Sequence, residues 1–299
     1  MTGMEAHFTG WRTKTAATLK ALKPGLHPKT LIAELGERLL AHYAGKPLIA
    51  KYDVYQHLMD YWAATMQDDC YLIAADGWKA ETYRIIERDK KGKEKDKGWT
   101  CDLVPKLLIV ARYFAKEQAA ISALEAELES LIAQMNELEE EHGGEEGLLE
   151  EARNEKDKLT KASVSSRLRE LRSDRSDRSD GSDKEEAQAL KDYLALMDQE
   201  STLGTRIKEA EADLDAKALA KYPTLTEAEV KTLVVEDKWM AALAAAIHGE
   251  MDRISQTLTQ RVKELAERYE TPLPQAVSKV ADLEQAVNRH LERMGFSWN

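Results

Sequence analysis

Apolar positions recur every three or four residues along most of this chain, the spacing of amphipathic helices. Pro24-Gly25 and Gly45-Lys46-Pro47 cut the first part into three helical segments, near 8–22, 28–44 and 51–67. In the third, Val54, Leu58, Tyr61, Trp62 and Thr65 share one face, broadened by Tyr55, Met59 and Met66. Asp53, Gln56, Asp60, Gln67 and Asp68 take the other face. A helix with that much aromatic area on one side must pack against something.

The period then changes. Cys70–Ala74, Thr82–Ile86 and Trp99–Val104 are short runs of strand formers, with Asp76-Gly77 as a turn signal, and they predict a small β-meander. From Pro105 to about Glu141 the helical period returns as a heptad ladder through Ile121, Leu124, Leu128, Leu131, Met135 and Leu138. His142-Gly143-Gly144 ends it. A second ladder runs through Tyr193, Leu196, Leu203, Ile207, Ala210 and Leu214. Paired in one chain, the ladders make an antiparallel helical hairpin; paired between copies, a parallel homodimeric coiled coil. Between them, three tandem Arg-Ser-Asp units hold nothing apolar to bury, and a disordered tip is expected near 172–184.

Tyr222-Pro223 breaks the second ladder, and Thr226 with Glu229 has capping-box spacing. A long helix follows to about Glu270. The final helix, from about Pro274, places Ala276, Val280, Leu283, Val287, Leu291 and Met294 on one stripe. Phe296 and Trp298 follow, and two aromatics at such a place call for a neighbour. Val280, Leu283, Val287, Leu291, Met294 and Phe296 are therefore the candidate partner-docking residues. The expected fold is mainly α: a helical segment with the β-meander over 1–104, a coiled-coil arm over 105–221, and a C-terminal helical docking region over 222–299.

Composition sharpens this picture. The chain has 299 residues, 43% hydrophobic and 32% charged, with only three Phe, a mix that suits long exposed helices better than one thick core. A net charge of −11 excludes a general nucleic-acid binder and leaves DNA contact to a local basic patch or a partner. The segment 84–97 holds seven Lys or Arg against four acids, so Arg88, Lys90, Lys91 and Lys93 are candidate phosphate contacts; the alternative is a solvated hairpin loop. No stretch approaches 18 consecutive apolar residues, and no signal-peptide pattern opens the chain. Cys70 and Cys101 lack metal-type spacing. A cytoplasmic protein with free thiols is expected, a Cys70–Cys101 bridge being the alternative.

Motifs for chemistry are missing. The sequence has no Gly-rich phosphate loop, no HExxH and no cysteine quartet, and its seven histidines never pair at i, i+3 or i+4. Asp68 and Asp69 could ligate a divalent metal, or simply close a helix.

Tyr52-Asp-Val-Tyr-Gln56, Met66-Gln-Asp-Asp69 and Gly77-Trp78 resemble the region beyond the catalytic domain in modification subunits of type I restriction–modification systems. The likeness continues through Leu103-Val-Pro-Lys106, Ala111-Arg-Tyr-Phe114, Glu140-Glu-His142 and Glu145-Glu-Gly-Leu-Leu149. It resumes at Thr232–Trp239, Glu250–Ser255 and Leu258–Arg261, and ends at His290–Phe296. In that family the subunit methylates adenine at N6 with S-adenosylmethionine, beside a specificity subunit that reads DNA and a restriction subunit. The family's glycine-containing cofactor motif and its Asn-Pro-Pro-aromatic motif are both absent here. The resemblance thus implies a non-catalytic assembly and DNA-clamping region, with no catalytic, cofactor-binding or metal residue of its own. An unrelated homodimeric coiled-coil scaffold, and a complete nucleic-acid-modifying enzyme working through Asp68 and Asp69, remain as alternatives.

Overall fold

The computed structural model describes residues 2–46, 49–88, 92, 94–144, 147–154, 157–173 and 181–296, with the side chains of 2–5 and 181–183 left out. They divide into two compact units, Met1–Gly77 with Val234–Asn299, and Trp78–Leu233.

The first unit is all helical. Helices α1 (Thr2–Lys20), α2 (Pro28–His42) and α3 (Lys51–Tyr61) follow the proline and glycine breaks. From Tyr61 the chain continues through a π-helical turn, Trp62–Met66, into α4 (Gln67–Asp76). The reason lies in the buried row Val54, Leu58, Trp62, Met66 and Cys70, which advances four residues at a time. At about 100° per residue, an unbroken α-helix would carry that row roughly 160° round by Cys70. A π turn accommodates one extra residue and absorbs about 100° of the drift, so the row stays against the core. Cys70–Ala74, expected as a strand, is therefore the middle of α4. A five-residue apolar run has no period that separates strand from helix, and here the incoming helix continues. It ends at Gly77, whose φ of +78° an L side chain rarely adopts.

The chain returns to this unit in a second π-helical stretch, Leu233–Met240, which leads into α10 (Ala241–Arg268). Val234, Val235, Trp239 and Met240 are fully buried, and α10 packs on α3. Helix α11 (Leu273–Arg293) closes the unit.

In the second unit, β1 (Tyr83–Arg88) and β2 (Glu94–Thr100) form one antiparallel hairpin, paired from Tyr83↔Thr100 to Arg88↔Glu94. The expected three-stranded meander is thus two strands. The first expected strand is helical, and β2 begins inside the supposed loop and stops before Cys101. Cross-strand charge pairs Arg84–Asp96 at 2.7 Å and Arg88–Glu94 at 2.8 Å extend the ladder through residues whose composition reads as loop. A lone hairpin is marginal in water, so its base is fastened elsewhere. Trp99 Nε1 donates to Asp215 at 2.9 Å, and Lys106 pairs with the same carboxylate.

Helices α5 (Lys106–Tyr113) and α6 (Ala115–His142) replace the single helix expected from Pro105; the backbone leaves helical geometry at Phe114, with φ −129° and ψ 29°. Helix α7 (Lys161–Ser173) and the 41-residue α8 (Gly181–Lys221) follow. Helices α6 and α8 run side by side in opposite directions: Tyr193 bonds Glu139 at one end, and Lys217 lies 4.0 Å from Glu117 at the other. Ile121, Leu131, Met135, Tyr193, Leu203, Ile207 and Leu214 are all buried. Near the chain reversal, Leu149, Ala152, Val164, Leu168 and Leu190 add a small core. Of the tip expected near 172–184, Arg172 and Ser173 complete α7 and α8 begins at Gly181; 174–180 lie outside the described residues. Helix α9 (Glu227–Thr232) starts with the expected capping box: Glu229 N donates to Thr226 Oγ1 at 3.3 Å, and Thr226 N donates to the Glu229 carboxylate at 2.8 Å. Among the described residues no helix is long and apolar enough to cross a membrane.

Candidate docking surface

Helix α11 has a well-made beginning and end and no buried residue between them. Pro272 sets an extended approach, and Pro274 occupies the first turn, where its missing N–H costs nothing. At the far end Gly295 takes φ +86°, Gly295 N donates to Glu292 O and Phe296 N to Leu291 O, both at 3.0 Å. These are the two bonds of a Schellman cap, so Phe296 is held at the helix end by the backbone.

The predicted docking residues stand in the open. Val280, Leu283, Val287, Met294 and Phe296 are 54–71% exposed, and Leu291 is half-buried. Leu273 and Val277 extend the same stripe and are likewise exposed. Val280, Leu283, Glu284, Val287 and Asn288 line a shallow trough of about 440 Å³. Sequence reasoning missed a second exposed row, Leu258, Val262, Leu265 and Tyr269 on the distal half of α10. Its signal was present: a 4, 3, 4 spacing that begins after Met251, the last buried residue of that helix.

The candidate phosphate contacts are divided. Arg88 is exposed and gives Glu94 two hydrogen bonds, at 3.0 and 2.8 Å; Lys97 pairs with Glu87 at 3.1 Å. Lys90, Lys91 and Lys93 lie outside the described residues.

Asp68 and Asp69 do not converge. Adjacent helical residues point about 100° apart, and here Asp68 is exposed while Asp69 is 3% exposed. Asp69 accepts from Lys238 Nζ at 2.8 Å and from Trp239 Nε1 at 2.7 Å, which engages both its oxygens. Burial pushes its carboxyl above the ordinary aspartate range, against the pull of Lys238 and Trp239. Tyr61 adds a bond to the Lys238 carbonyl at 3.3 Å. On the same π-helical stretch, Arg12 and Lys20 each reach Glu236 at 3.0 Å. Burial works against that carboxylate, but the two cations hold it below the usual range. This is an anchor joining α1, α4 and the second π stretch. Beside it, burial and the charge of Asp69 push the Cys70 thiol up to about 12, and both cysteines are free and buried. Among the described residues no three His, Cys, Asp or Glu side chains gather as a metal site would require.

Comparison with protein-family models, with curated proteins and with solved structures finds no match to the chain.

Proposed function

We propose that this chain is the non-catalytic C-terminal assembly region of a type I modification subunit, an adenine-N6 DNA methyltransferase that uses S-adenosylmethionine. In this reading α6 and α8 form a coiled-coil arm, α11 docks on the specificity subunit, and the assembled complex, with the restriction subunit where present, closes around DNA. The observation that supports it is the apolar stripe of α11, complete at both ends and uncovered. An exposed apolar stripe of this extent marks a surface that a partner takes.

The test is co-purification with a co-expressed specificity subunit. Val287→Asp with Leu291→Asp should abolish capture while the chain keeps its circular dichroism, because the stripe is not core. Undiminished capture by the double variant would refute docking through α11. Calorimetric titration with S-adenosylmethionine should give no heat of binding; saturable binding would overturn the non-catalytic reading.

A further inference from the structure

From Val280 to Met294 the apolar stripe of α11 is symmetric about Val287. Val280, Leu283, Leu291 and Met294 stand at offsets −7, −4, +4 and +7 from it. A second copy laid antiparallel across a two-fold axis at Val287 therefore meets apolar side chains in the three layers of this stretch: Val287 against Val287, Leu283 against Leu291, Val280 against Met294. At about 100° per residue, Leu283 and Leu291 fall about 40° to opposite sides of the line through Val287. In the paired layer they lie side by side rather than head on. A surface that is its own complement is what a two-fold dimer requires.

Area and charge agree. Seven apolar side chains of the α11 segment are more than half exposed. Those within the paired stretch, Val280, Leu283, Val287 and Met294 with half-buried Leu291, present on the order of 500 Å², within the roughly 300–600 Å² of the largest patch on a typical monomer and below the per-partner share of a standard interface, so the pairing fits a weak, concentration-dependent dimer. Residues 252–296 hold seven acidic and seven basic side chains, net zero, so the −11 of the whole chain lies elsewhere. A second copy can approach this segment without local charge repulsion.

We infer that α11 is a self-complementary dimerisation helix, and that in the chain by itself its stripe is covered by the α11 of a second copy. The inference rests on the exposed stripe and not on the family reading, although a docking partner would compete for the same surface.

Multi-angle light scattering of the intact chain from about 1 to 50 μM should show a concentration-dependent rise to twice 33.7 kDa. Val287→Asp places two carboxylates at the two-fold axis and should hold the chain monomeric with unchanged circular dichroism. A mixture of Leu283→Cys and Leu291→Cys chains should give a disulfide-linked heterodimer on mild oxidation. Neither variant alone should cross-link comparably, and the native thiols are buried. A chain monomeric at 50 μM, a Val287→Asp variant that still dimerises, or cross-linking dominated by Leu283→Cys with itself would each overturn the proposal. Capture by a specificity subunit without self-association would sink this inference alone; cross-linked dimers without capture would sink only the docking reading.

Discussion

Two acidic side chains carry most of the local electrostatics, and they behave oppositely. Glu229 accepts from Thr226 N and from the Thr226 hydroxyl, and takes further bonds from Tyr113 at 2.9 Å and Lys221 at 3.3 Å. Led by the Thr226 backbone bond, these contacts hold its carboxyl down at about 2. Between that value and the ordinary 4.5 the unfolded chain binds the extra proton, so stability rises with pH across this window and is lost as pH falls through it. Melting temperatures from pH 2 to 6 should fall more steeply on acidification for the native chain than for Glu229→Gln. Asp69 depends on burial instead. Asp69→Ala leaves Lys238 without its counter-charge and should cost about 3–5 kcal/mol in urea unfolding; Asp69→Asn with Lys238→Met should cost less than the two single losses summed. Asp68-Asp69 reads from sequence as a possible chemical pair, because adjacency is visible there and facing is not. What separates the two is the 170-residue reach from Asp69 to Trp239, which no local pattern contains.

At the scale of elements, what was legible followed a sustained period. The ladders at Ile121–Leu138 and Tyr193–Leu214 and the stripe of α11 lie in α-helices, and the capping box at Thr226 forms. Short segments were legible only in part: Thr82–Ile86, expected as a strand, falls almost wholly within β1. Cys70–Ala74 is helical because the helix entering it is already committed, and β2 includes Glu94–Lys97 because charges pair across the hairpin. Helix α7 went unforeseen because its burial depends on residues brought in from α6 and α8. Leu190 sits fully buried where these helices meet. Leu190→Ala should therefore cost about 2–5 kcal/mol, measured by chemical denaturation, whereas Ala at exposed Leu258 should change little.

For the whole molecule, charge sets the terms. At −11, with Arg84, Arg88 and Lys97 already paired to acids across the hairpin, the chain by itself offers DNA little net attraction. Fluorescence anisotropy with a labelled duplex at about 150 mM salt should show no saturable binding below 10 μM; tight binding would mean that the segment 84–97 grips phosphate unaided. The large exposed apolar surface lies on α11, while Asp69 is taken up in an internal anchor and its neighbour Asp68 faces outward.

The two π turns have a consequence for descent. A π turn has the geometry of an extra residue taken up within a helix without breaking it. Aligned against relatives whose helices never acquired the extra residue, this chain will need single-residue gaps within Trp62–Met66 and Leu233–Met240. Asp69 lies just past the first stretch and its partners Lys238 and Trp239 lie within the second, so deleting one residue from either would turn the anchor's side chains about 100° away from one another.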